Sequence, residues 1–192
     1  MKHTRAAAAV AAVSATLLIL GTTSASAARP EIDHWTFTDS HIEQEEHDDF
    51  CLDEEGNEIV PFDVLYEEDS HGNFRGMVRK GVFYGASTVH IEQSWTNLDT
   101  GKSMSAVWQG QEKDHEVVDN GDGTFTITIL FTGPTKTYDD EGDLLFKDVG
   151  RTFGTIIVDE NGEFLEFVSG DSKGQFDTAD RDFCLDLIEF TS

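Results

Sequence analysis

Basic residues are scarce in this chain: 13 Lys and Arg stand against 38 Asp and Glu among 192 residues. So negative a surface repels nucleic-acid phosphates and anionic lipid headgroups, which excludes both as partners. Cysteine is scarcer still, with only Cys51 and Cys184. Neither belongs to a C-x-x-C pair, so the spacing of a thiolate zinc site is absent. After Leu20 no apolar run reaches the about 20 residues that a membrane-spanning helix needs, and no membrane insertion is expected. Catalytic signatures are missing as well. There is no P-loop, no Rossmann fingerprint and no H-E-x-x-H, and Gly85-Ala86-Ser87-Thr88-Val89 lacks the second glycine of a nucleophile elbow. The loop DNGDGT at 119–124 fails the EF-hand spacing, because Gly121 stands at a ligand position and Leu130 falls where the closing glutamate belongs. With so many carboxylates, no glycosidase-type pair stands out from the rest. No resident cofactor is expected; the acidic surface leaves weak Ca2+ binding open.

What is present begins with an export signal. Lys2 and Arg5 form a positive start, Ala6–Leu20 is almost wholly apolar, and Ala25-Ser26-Ala27 fits signal peptidase. Cleavage after Ala27 is expected, by the Sec route, since no twin arginine precedes the apolar run and no Cys follows the cut. Residues 28–192 then form one secreted, extracellular domain. That segment keeps every acidic residue and loses two bases, for a net charge of −27.

The secreted segment reads as alternating strands. Phe125, Ile127, Ile129 and Phe131 fall on one face of TFTITILFT, and Met104, Ala106 and Trp108 alternate with polar residues, as do Phe62, Val64 and Tyr66. Acidic, glycine-bearing turns separate such segments at 53–57, 69–73, 98–102, 119–123, 139–143 and 159–163. The expected fold is all-β: an antiparallel meander closed into a single barrel of about eight strands, lipocalin-like or allene-oxide-cyclase-like, with a β-sandwich as the alternative. One short C-terminal helix is expected in ADRDFCLDLI, capped by Asp177 or Thr178.

The pentapeptide DFCLD occurs at 49–53 and again at 182–186 and holds both cysteines. Two cysteines in an exported protein pair with each other, and a Cys51–Cys184 bridge fastens the start of the domain to its end. Four residues, His41, Glu43, Glu45 and His47, would share one side of an extended HIEQEEH and present imidazole and carboxylate to a divalent metal. Around His90, the apolar Val89 and Ile91 turn inward, which sends His90 and Glu92 outward. Trp35, Trp95 and Trp108 supply core, or line a ligand cavity; Trp95, just before a turn, is expected at its rim.

The signal peptide, Asp49-Phe50-Cys51, the run from Trp95 to Ser103, the loop from Asp119 to Thr124 and Asp182-Phe183-Cys184 together resemble an uncharacterised family of secreted actinobacterial proteins. The resemblance spans the whole secreted segment and departs from the family pattern at Leu98, where proline is expected. It implies export and one small β domain, and carries no activity. The expected function is a secreted barrel that binds a small apolar ligand or an extracellular partner. The alternatives are a barrel enzyme (isomerase, cyclase or hydrolase) and a surface-acting inhibitor or adhesion module. Aromatics around a lumen would favour the binder, carboxylates buried together in a pocket the enzyme, and an interior without a cavity the surface-acting module.

Overall fold

A computed structural model describes residues 31–79 and 82–192; the expected signal peptide lies outside them. Strand β1 (Glu31–Ile42) runs into a single helical turn, α1 (Glu43–Glu46). Six strands follow: β2 (Val64–Arg79), β3 (Val82–Asn97), β4 (Ser103–Asp119), β5 (Thr124–Tyr138), β6 (Leu144–Asp159) and β7 (Phe164–Phe176). Helix α2 (Phe183–Thr191) ends the chain. All seven strands pair antiparallel with their sequence neighbours in the order β1 to β7.

The sheet is not closed into a barrel. Strands β1 and β7 stand at its two edges, and no pairing joins them among the described residues. Nor is there a second sheet among the described residues to make a sandwich. The edges are defended chemically. Acidic residues and histidines (Asp33, His34, Asp39, His41) punctuate β1, and two irregularities break the β6–β7 ladder beside Thr155 and Ile157.

Register divides the side chains cleanly. One face, here the inner face, gathers Trp35, Phe37 and His41 from β1, Tyr66, Glu68 and Phe74 from β2, and Ile91, Gln93 and Trp95 from β3. It continues with Met104, Trp108, Glu112 and Asp114 on β4, Phe125 to Phe131 at alternate positions on β5, and Ile156 and Val158 on β6. The expected alternations at 104–108 and 125–131 are therefore observed. His90 and Glu92 turn to the outer face as expected, where His90 Nε2 lies 2.8 Å from Glu92 Oε1.

Five of the six expected turns are turns or tight loops; 69–73 is not, and lies inside β2. Glycine at 72 is required for a different reason: a Cβ there would come within 2.7 Å of the Trp35 ring. A close approach, not a positive φ, selects the residue.

The core sits at one end of the sheet. Val64, Tyr66, Trp95 and Met104 are covered there by Leu187 of α2 and by Cys51 and Val60 of the segment after α1. Cys51 and Cys184 are bridged, with Cα atoms 5.6 Å apart across 133 residues of sequence. Asp182 caps α2, accepting from the backbone N–H groups of Cys184 and Leu185. This corrects the expected cap. Asp177 and Thr178 are engaged elsewhere, Asp177 accepting from Lys147 N–H and Thr178 donating to Asp148. The helix is held down by Asn97, fully buried, whose side chain donates to the Thr191 carbonyl at 3.0 Å. No helix among the described residues is long and apolar enough to cross a membrane.

Candidate functional site

The structure separates the three tryptophans. Trp95 is 8% exposed, packed between Tyr66 and Phe183 in the core, so it is not at a rim. Its ring centroid lies 5.0 Å from that of Phe183 in an edge-on arrangement. Trp35 and Trp108 are half-buried on the same inner face but lie farther up the sheet.

Their setting is a line of glycines. The ladders align Trp35 with Gly72, Gly72 with Val89, and Val89 with Gly110. Gly133 lies against Gly110, then pairs with Gly150, which pairs with Gly174. Aromatic rings lie down on this line. A Cβ built on Gly72 would meet the Trp35 ring at 2.7 Å, on Gly110 the Trp108 ring at 2.9 Å, and on Gly150 the Phe176 ring at 2.8 Å. A Cβ at any of the three would also strike a neighbouring strand's carbonyl, that of Thr88, Thr132 or Lys173, so both the ring and the adjoining backbone demand glycine. Phe83 over Gly76 and Phe74 over Gly85 repeat the device four residues along the strands. Rings rescuing glycines in this way restore packing that glycine alone forfeits in a strand. No other element among the described residues packs over this row: α2 contacts β3 and β4, and α1 contacts β1 and β2, in both cases at the core end.

Two carboxylates stand just beyond Trp108 on the same face of β4. Glu112 and Asp114 are part-buried, and Asp114 Oδ2 accepts from Gly85 N–H at 2.6 Å. Burial lifts the Glu112 carboxyl above the ordinary glutamate range, and the charge of Asp114 adds to the effect. Burial likewise raises Asp114, against the opposing pull of the Gly85 hydrogen bond. Nothing in the sequence marked these two among so many acids. A hollow of about 190 Å³ adjoins Asp114, lined also by Tyr84, Lys113 and His115.

The expected metal-ligand set is assembled in part. His41 ends its strand on the inner face, Glu43 opens α1, and His47 follows it, one helical turn from Glu43. Their ligand atoms lie within 4.8 Å of one another. Glu45 is exposed and not part of the group. A lumen for a small apolar ligand is not formed. An open hollow of about 640 Å³ is instead walled by acidic and hydroxyl side chains, Glu67, Asp69, Glu92, Thr38 and Ser94 among them.

No family model, no curated protein and no solved structure matches this chain.

Proposed function

We propose that the protein is a secreted, surface-acting binding module that takes an extended, neutral β-linked glycan across the inner face of its sheet. The observation that carries this reading is the ring-on-glycine row. Trp35, Trp108 and Phe176 lie over Gly72, Gly110 and Gly150, on β2, β4 and β6. Rings on every second strand are about 10 Å apart at about 4.8 Å per strand, close to one disaccharide repeat of an extended β-linked glycan. Sugar rings present apolar C–H faces, and these pack on aromatic faces by dispersion with little need for charge. The acidic surface argues against an anionic polymer as the occupant. A disulfide and the absence of a membrane-crossing helix among the described residues accord with an extracellular setting.

The test is co-sedimentation of the disulfide-intact protein with insoluble cellulose and chitin, with the acidic polymer pectate as control. The expected result is binding to a neutral glycan that weakens about tenfold for Trp108→Ala, a loss of about 1.4 kcal/mol. Trp35→Ala and Phe176→Ala are expected to weaken it in the same direction. Equal binding by the wild type and all three variants, or no binding to either neutral polymer, overturns the reading.

A second reading, hydrolysis of the same glycan, is favoured by Glu112 and Asp114. Two neighbouring carboxyls whose pKa values burial raises, beside the row proposed to take the sugar, are the raw material of general acid catalysis. Release of reducing ends, lost in Glu112→Gln, would favour it; binding without product favours the module.

A further inference from the structure

We infer that His41, Glu43 and His47 form a binding site for one divalent transition-metal ion of the zinc type. His41 is held with one ring nitrogen engaged and the other without a partner. Its Nδ1 lies 3.1 Å from Asp39 Oδ2, a contact that needs a proton on Nδ1 and so, in the neutral ring, makes Nε2 the acceptor. That Nε2 atom is sealed from solvent and has no hydrogen-bond partner. It faces another acceptor, Glu43 Oε2, at 3.6 Å. Glu43 Oε2 has His47 Nδ1 beside it, so the unpartnered atom is His41 Nε2, and it faces a carboxylate oxygen at which two imidazole nitrogens converge, a set of ligands suited to a cation.

Glu43 is equally prepared. Its side chain is 9% exposed, and its Oε1 accepts from the Trp95 indole N–H at 3.2 Å, which leaves Oε2 for the ion. His47 Nδ1 closes the group at 2.9 Å from that same oxygen. In a tetrahedral site with bonds of about 2.0–2.1 Å, neighbouring ligand atoms sit about 3.3 Å apart, and the two imidazole-to-Glu43 separations, 3.6 and 2.9 Å, bracket that spacing. Asp39 and Trp95 hold their ligands from behind, the arrangement that fixes tautomer and carboxylate orientation in metal sites.

The ligand set also selects the ion. Two imidazoles and one carboxylate suit zinc and its neighbours, whereas calcium and magnesium require an oxygen cage. The group is reached from solvent at His47, whose side chain is 51% exposed, and it supplies only three ligands. Three protein ligands with an open position resemble an exchangeable site more than a sealed structural one. Glycan binding plays no part in this inference.

The disulfide-intact protein, stripped with a chelator, is titrated with ZnCl₂ by calorimetry and with Co²⁺ by visible absorption. One ion per chain is expected, with cobalt bands of tetrahedral strength and no competition from excess calcium. His47→Ala, a change at an exposed side chain, is expected to weaken zinc about tenfold or more while the melting temperature of the metal-free protein is unchanged. His41→Ala is expected to abolish the cobalt bands, and His71→Ala to leave both readouts as they were. No heat and no bands in the wild type, or affinity that survives both His41→Ala and His47→Ala, overturns the site.

Discussion

The end of the sheet that meets α2 and the end that leaves it are built from the same alternating sequence, yet only the first is covered. At the covered end Val64 and Leu187 are wholly buried, and the disulfide ties both covering segments together. At the far end Val89 and Val158 are the only buried hydrophobics among the described residues, while Phe164, Leu165, Phe167 and Val168 on β7 stay exposed. Period-two patterning makes strands in both regions; burial needs a second layer, and among the described residues only α2 and the segment after α1 supply one. Elsewhere the sheet relies on its ladders and on rings folded onto glycines. On the proposed reading, stability and binding surface are divided between the two ends.

Breaking the disulfide should produce the largest effect. The chain-entropy cost of losing a bridge over so long a loop is roughly 5 kcal/mol, so a Cys51→Ala/Cys184→Ala double variant should show a greatly lowered urea midpoint. A midpoint unchanged from the oxidised wild type would separate the bridge from the stability of the covered end.

Next comes a matched pair of truncations. Leu187→Ala empties a fully buried position and should cost about 2–5 kcal/mol. Phe167→Ala, at an exposed position on β7, should change stability by no more than about 0.5 kcal/mol. Equal losses in thermal melts would mean that the far end is covered in solution by something that the fold of one chain does not provide.

The smallest effect concerns Glu112. Its carboxyl is raised in the folded protein, so the native state holds that proton more tightly than the unfolded chain does. The penalty for ionising it in place is absent below the ordinary glutamate range, grows as pH rises through that range to the raised value, and is constant above. Glu112→Gln should therefore raise the melting temperature at neutral pH, and the gain should shrink to nothing in acid. A gain independent of pH would point to packing rather than charge.

How much of this was legible follows the range of the interactions. Strand alternation and hairpin turns are local, and TFTITILFT or DENGE declares them in a few residues. The disulfide was readable because two cysteines allow one pairing. His41, Glu43 and His47 lie close in sequence, so their grouping was visible, although α1 replaces the extended chain expected there and drops Glu45 from the set. Whatever depends on register across strands was not legible. Gly72 looked like a turn because its partner, the Trp35 ring, comes from another strand. The row from Gly72 to Gly174 exists only after five ladders align it, and Glu112 differs from other acids only through burial. Trp95 stands beside a turn in sequence, but α2 returns from the far end of the chain to bury it. Closure of the sheet was expected from the need to hide edges; charged side chains and ladder irregularities protect them instead.

Amide hydrogen exchange with and without a soluble cello-oligosaccharide or chito-oligosaccharide tests the division most directly. Without ligand, the amides around Tyr66, Trp95 and Met104 should exchange slowest and those of β7 fastest. With ligand, protection should rise along the row through Gly72, Gly110 and Gly150 and stay unchanged at the covered end. Protection that fails to change along that row with either sugar, or rises only around α2, would contradict the account.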